Sequence, residues 1–191
     1  MVLNLVGLVG TNAPTSYNRM LLEYMQHHFI TDATITVAEI DEIPLFNETG
    51  LADVPSSVYT LSDQLTAADG IIIATPEYDH AITAALKSTI EWLSAATHPF
   101  TTQPVMVVGA SLGFQGTARA QDNLRQILNS PGVNAFVIPG YEFLLSNAKQ
   151  QFDDQSLLTN AKTISFLEEC FTHYLHFVAD NRENLKLVRE V

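Results

Sequence analysis

Five short apolar runs, at residues 2–9, 35–40, 70–74, 105–108 and 135–138, alternate along this chain with segments whose apolar positions recur every three or four residues. The runs are nearly continuous and mostly β-branched, as strands covered on both faces must be; a half-exposed strand would alternate instead. Helical periodicity is expected near 16–29, 56–67, 82–96 and 117–129. It is also expected over 156–178, where Leu157, Ala161, Ile164, Leu167, Phe171, Tyr174 and Val178 form one stripe. A β-α unit repeated five times predicts an α/β three-layer, doubly wound fold, with a parallel sheet and right-handed crossovers. Five strands at this length favour the order 2-1-3-4-5 over a larger dinucleotide fold. Residues 1–180 are expected to form the domain and 181–191 an extension, either solvated or touching another subunit. The longest irregular stretch, 40–56, reads as a functional loop.

At 191 residues the chain is one domain long and can bury a core without disulfides or metals. Its formal charge of -12, with only nine Lys and Arg residues, argues against nucleic acid or an anionic membrane as partner. Cys170 is the only cysteine and falls in an apolar helical pattern, so it reads as core filling, and no disulfide within the chain can form. The amino-terminal apolar run reaches only Gly10, too short for a membrane span, and a cytoplasmic location is expected. The histidines offer no metal spacing: His27 and His28 are adjacent, His173 and His176 lie three apart, and HExxH does not occur.

In the order 2-1-3-4-5 the first, third and fourth strands are neighbours, and ligands bind beyond their carboxyl ends. The loops after those strands are unusual. Gly10-Thr11-Asn12-Ala13-Pro14-Thr15-Ser16-Tyr17-Asn18 gathers small polar side chains before a helix start, where free N–H groups and the helix dipole favour a phosphate. Thr11, Ser16 and Asn18 can donate to it. Thr75-Pro76-Glu77-Tyr78-Asp79-His80 offers backbone for the polar edge of a planar ring and Tyr78 as an aromatic surface. Gly109-Ala110-Ser111-Leu112-Gly113-Phe114-Gln115-Gly116 would complete the crevice. The first two loops have plainer readings: a Ser or Thr helix cap beside a turn-forming Asn-Ala-Pro in one, and in the other a proline that ends a strand with Asp79 or His80 leading into a helix. Lys87 and Glu91, four apart, read as a surface ion pair. Neither GxxxxGK[ST] nor GxGxxG is present.

Taken in order, these motifs resemble those of the NAD(P)H-dependent FMN reductases, which include flavin, quinone, azo-dye and chromate reductases. The family pattern G-S-x-R-x-x-S-x-N meets Gly10, Thr11, Ala13, Ser16 and Asn18; P-E-Y-N meets Pro76-Glu77-Tyr78-Asp79; L-K-N-x-I-D-W meets Leu86-Lys87-Ser88-Thr89-Ile90-Glu91-Trp92. A small-residue loop before a helix with Leu-Arg meets Ser111, Gly113, Gly116, Leu124 and Arg125, so the likeness covers residues 2–140. It implies a flavodoxin-like fold and an FMN held by phosphate in the first loop, by ring in the second, and bordered by the third. Thr11, Ser16, Asn18, Pro76, Glu77, Tyr78 and Ser111 carry over residue by residue. Tyr17, Asp79, His80 and Gly113 join them as neighbours in the same loops. Ile43-Pro44-Leu45-Phe46-Asn47 looks like the family's Leu-Pro-aromatic loop, which implies that Phe46 lies near the active site or a subunit contact. The implied reaction passes hydride from NAD(P)H to flavin N5 and electrons on to a small acceptor, with no side chain as catalyst. A homodimer, or a dimer of dimers, is the implied assembly.

Two positions depart from the pattern. Ala13 stands where the family has Arg, which removes a charge-assisted phosphate contact, and Asp79 replaces Asn, bringing a negative charge that His80 can offset. A flavin-binding protein without turnover is one alternative those departures raise. A flavodoxin-type carrier is another, although the T-x-T-G-x-T pattern is missing. A third is a serine hydrolase: Gly109-Ala110-Ser111-Leu112-Gly113 matches GxSxG, and Asp153 or Asp154 and then His173 or His176 follow in order. Against it, no HGGG-like segment is present, and both histidines fall within a helical pattern.

Overall fold

The computed structural model describes residues 2–189. Strands β1 (Leu3–Val9), β2 (Ala33–Ala38), β3 (Gly70–Ala74) and β4 (Pro104–Ala110) pair in parallel in the order β2-β1-β3-β4, with a fifth position beyond β4. The strands split their side chains between two cores, as a period of two requires. Leu5, Val9, Ile72, Met106 and Val108 face α1 (Tyr17–His28) and α6 (Ala161–Arg189). Val6, Leu8, Ile71, Ile73, Val105 and Val107 face α2 (Ser56–Ala67), α3 (Ala84–Ala96) and α4 (Ala118–Leu128). Every residue of β3 and β4 is buried, which is why both appear in the sequence as unbroken apolar runs.

Tyr174 of α6 ties one helical layer to the sheet. Its buried hydroxyl lies 2.9 Å from the Ile71 carbonyl and 3.1 Å from that of Pro104, bridging β3 and β4. Gly70 permits that approach, since a Cβ there would stand 2.5 Å from the Tyr174 hydroxyl.

The order 2-1-3-4-5 is the one expected, but four details differ. The fifth position is two short strands, β5 (Phe136–Val137) and β6 (Phe143–Leu145), both parallel to β4. Pro139, which has no N–H to donate, and Gly140, at a φ of +77°, interrupt the run between them. The second strand sits two residues earlier than expected; its exposed Thr34 and Thr36 belong to the ladder, and Ile40 is buried from the loop beyond. The last long helix starts at Ala161 rather than 156, because the Asn160 side chain caps the Lys162 and Thr163 amides at 3.0 and 3.1 Å. Leu157 and Ala161 are therefore exposed and leave the buried stripe to Leu167, Phe171, Tyr174 and Val178. That helix crosses position 181 without a break and continues to Arg189, while residues 190–191 of the expected extension lie outside the described residues. A short helix, α5 (Ala148–Gln151), precedes it.

The 40–56 loop is fixed to α3. The Trp92 indole donates to the Pro44 carbonyl at 2.9 Å, the Phe46 amide donates to the Ser88 hydroxyl, and Phe46 packs edge-on against Trp92. Phe46 is thus partly buried within its own chain, and Leu45 is the more exposed of the two large apolar side chains there.

Candidate active site at the carboxyl edge of the sheet

The first loop leaves β1 against its neighbours. Gly10 donates to the Ala74 carbonyl at 2.8 Å and accepts from the Thr83 hydroxyl at 2.9 Å; a Cβ at Gly10 would lie 2.6 Å from the Ala74 oxygen. Ser16 then caps α1, its Oγ accepting from the amides of Asn18 and Arg19 at 3.1 and 3.3 Å, so its hydroxyl proton is free to donate outward. Among the described residues, the backbone amides of Thr11, Asn12, Thr15, Ser16 and Tyr17 have no hydrogen-bond acceptor. A cluster of free N–H groups at a helix start is a site for a dianion.

Two expected phosphate donors are placed differently. Thr11 is buried, and its Oγ1 accepts from the Ala13 amide at 3.2 Å, shaping the loop from inside. Asn18 is also buried; its Nδ2 donates to the Ala110 carbonyl at 3.0 Å and its Oδ1 accepts from the Ala110 amide at 2.8 Å. It clamps the start of α1 to the end of β4. Arg19, one residue past the motif, was not among the expected site residues. Its guanidinium pairs with Glu39 through Nε and Nη2 at 2.5 and 2.7 Å, and its Nη1 donates to the carbonyls of Ala13 and Pro14 at 3.0 and 3.2 Å. The Glu39 contacts hold its pKa above the ordinary arginine value.

In the second loop, Tyr78 and Ala81 exchange two hydrogen bonds of 3.0 Å around Asp79 and His80, whose φ values are +49° and +64°. Positive φ at both central positions makes this a tight hairpin turn of the type that accepts Asn, Asp or Gly. The replacement of Asn by Asp at 79 therefore falls at an exposed turn tip, not at the crevice wall. Glu77 points the other way. Its Oε2 accepts from the amides of Arg119 and Ala120 at 3.0 and 3.2 Å, supplying the cap that Thr117, at a φ of +73°, does not. The second loop is thereby tied to the helix that follows the third.

The third loop runs through Ser111, whose amide donates to Leu145 and whose hydroxyl donates to the Gly113 carbonyl at 3.2 Å. A Cβ at Gly113 would meet nothing within 4 Å, so that backbone is open to a planar ligand. The hydrolase alternative finds no geometry here. Helix α4 starts only at Ala118, no histidine hydrogen-bonds Ser111 among the described residues, the Asp153 carboxylate accepts from the amides of Gln155 and Leu157, and His173 stacks on Tyr141.

Together the loops enclose a crevice of about 350 Å³ walled by Thr15–Asn18, Pro76–Tyr78 and Ala110–Gly113. Of the expected set, Ser16, Tyr17, Asn18, Pro76, Glu77, Tyr78, Ser111 and Gly113 lie on this wall, and Thr11, Asp79 and His80 do not. Thr15, Ala110 and Leu112 are wall residues that the motifs left out. The free amides, the Ser16 hydroxyl and the open Gly113 backbone fit an FMN. A larger crevice of about 420 Å³ opens beyond β2, but Glu39, Asp41 and Glu42 line it, and carboxylates repel a phosphate. Among the described residues there is no grouping of side chains fit to hold a metal and no helix long and apolar enough to cross a membrane.

Residues 3–150 match the family model described as NADPH-dependent FMN reductase. The NADH:(hydroxy)cinnamate reductase subunit CrdA of Vibrio ruber is 45% identical over 175 residues, covering 92% of this chain and 87% of the relative. The NADH-dependent flavin reductase subunit 2 of Lactobacillus johnsonii is 39% identical over 181 residues, covering 92% and 97%. The structure of FerB, a flavoenzyme NAD(P)H:(acceptor) oxidoreductase from Paracoccus denitrificans, superposes with a TM-score of 0.85 at 23% identity, covering 94% of this chain and 99% of that one, a likeness of fold. With the family model covering most of the chain and two relatives, matched over most of their length, 45% and 39% identical, the chain belongs to the NADPH-dependent FMN reductase family.

Proposed function

We propose that this protein is an oxidoreductase that binds FMN in the crevice at the carboxyl edge of its sheet and passes electrons from NAD(P)H to a small acceptor. The observation that carries the reading is the set of free amides at 11, 12 and 15–17, at the amino end of α1 and beside the wall formed by Pro76–Tyr78 and Ala110–Gly113. FMN held there would supply the hydride-accepting and electron-donating chemistry. The protein's part is positioning. The amides and the Ser16 hydroxyl hold the phosphate, and the backbone of Pro76–Tyr78 and of Leu112–Gly113 meets the ring. Tyr78, half exposed, offers an aromatic face at the mouth. Asn18 and Glu77, themselves on the wall, brace it by fixing β4 and α4.

The acceptor class in this proposal is a free flavin, a quinone or another small electron-poor molecule. A homodimer completes the site: Leu112 and Phe114 are 65% and 79% exposed beside an open crevice, an apolar rim that a second copy would cover. Leu45, 75% exposed, is the matching candidate from the 40–56 loop in place of Phe46. A second reading takes its cue from the relatives in Vibrio and Lactobacillus, both named as subunits, in which case a different protein covers the same rim. A cytoplasmic location belongs to the proposal, supported by the buried thiol of Cys170, which has no disulfide partner.

Titration of flavin-free protein with FMN tests the reading, followed by NADH and NADPH oxidation with a quinone or free FMN as acceptor. Saturable quenching of flavin fluorescence and acceptor-dependent turnover are expected. No FMN binding at high micromolar concentration would overturn it.

A further inference from the structure

We infer that Arg19 is the positioning residue of the phosphate loop, taking over from inside the fold the work of the arginine that Ala13 replaces. The inference rests on the FMN reading above. Within residues 10–19 Arg19 is the one cation, and Glu39 neutralises it, so what it offers the loop is geometry and not a counter-charge to the phosphate.

Arg19 does not line the crevice. It works from behind. Its Nη1 draws the carbonyls of Ala13 and Pro14 toward the guanidinium at 3.0 and 3.2 Å. All peptide bonds here are trans, so a carbonyl and the next amide point in opposite directions. Holding the Pro14 carbonyl on the Arg19 side turns the Thr15 amide away from it, and Thr15 and Ser16 are crevice-wall residues. Pro14 adds stiffness by fixing its own φ. Glu39, at the end of β2, grips the other edge of the guanidinium at 2.5 and 2.7 Å. A bidentate carboxylate fixes the plane of an arginine in a way that a lysine ammonium cannot reproduce. The loop amides are therefore aimed before any ligand arrives, and the pair Arg19–Glu39 sets the preference for a phosphorylated flavin over the bare one.

The test compares FMN with riboflavin on flavin-free protein, since both present the same ring and only one has a phosphate. Arg19→Ala is expected to raise the FMN Kd about tenfold while leaving that of riboflavin within about twofold, the loss expected when the loop amides that meet the phosphate lose their fixed aim. Arg19→Lys should recover only part of the preference, and Ala13→Arg added to Arg19→Ala should restore it. Glu39→Gln keeps the guanidinium but loosens its grip, and it should lower the FMN-to-riboflavin preference even if Arg19→Ala fails to fold. Equal weakening of both ligands in Arg19→Ala, or an unchanged preference in Glu39→Gln, would overturn the inference while leaving the FMN reading intact. A parent protein that binds neither flavin would defeat that reading first, and this inference with it.

Discussion

Asn18 and Ala110, 92 residues apart in the chain, are joined twice: one side-chain amide answers both backbone groups of a single residue. Both hydrogen bonds are buried where α1 meets the end of β4. Asn18→Ala should lower unfolding stability by about 2–4 kcal/mol, because two buried backbone groups lose their partners. Asn18→Asp should do no better, since its carboxylate oxygen would face the Ala110 carbonyl. Urea unfolding measures the loss. FMN and riboflavin affinities should fall together in these variants, in contrast to Arg19→Ala.

Glu77 caps α4 from another loop, so Glu77→Ala should leave the amides of Arg119 and Ala120 without an acceptor. The expected cost is about 1–2 kcal/mol in urea unfolding. Glu77→Gln keeps an acceptor oxygen and should lose less. Loosening α4 also frees the third loop, so ring binding should weaken for riboflavin as much as for FMN.

The hairpin turn at Asp79 and His80 can be improved. Both residues have positive φ, where a glycine carries no steric cost. His80→Gly should raise stability by about 0.5–1 kcal/mol, and Asp79→Asn should change it by less than about 0.5 kcal/mol. His80→Val should destabilise, because a β-branched side chain is strained in that region. Thermal melting of the three variants ranks them, and the FMN Kd should stay constant across them if the turn lies off the binding wall.

Alkaline stability follows from two buried groups. Burial pushes the Cys170 thiol up to about 11, and the Tyr174 hydroxyl well above its ordinary value. Both groups are neutral when protonated and hold their protons more tightly in the folded state. Stability is therefore full below the unfolded pKa values and falls as pH rises through about 9 to 11. Urea midpoints measured from pH 8 to 11 should drop steadily. Cys170→Ala should flatten the portion between about 9 and 11, and Tyr174→Phe should remove part of the fall above about pH 10 at the expense of a hydroxyl that spans two strands.

Strands β3 and β4 were legible because burial on both faces leaves nothing but apolar residues, and the start of α1 was legible because Ser16 caps it. The broken fifth strand was not. Hydropathy registers Ala135–Ile138 as one run and is blind to Pro139 lacking a donor for the ladder. Asn18 looks like a phosphate donor in its motif, because an amide side chain carries no mark of which partner it meets, and Ala110 is distant in sequence. Thr11 is opaque for the same reason: a hydroxyl in a polar loop gives no sign that it is buried. Asp79-His80 lacks the Gly that usually announces such a turn, and its hydrogen bonds appear only once Tyr78 and Ala81 face each other. Arg19 lies one step past the motif, and its value depends on Glu39, which only the pairing of β1 with β2 brings near.

The split of β5 from β6 also bears on how copies of this chain can meet. A long, even outer strand presents a row of unused donors and acceptors that invites another chain to extend the sheet. Here the outer position holds one piece of two residues and one of three, separated by a proline and a left-handed glycine. No partner strand of ordinary length finds a straight template there. Assembly at that border must proceed by side chain against side chain, which keeps the sheet finite and leaves open-ended polymerisation through it without a starting point.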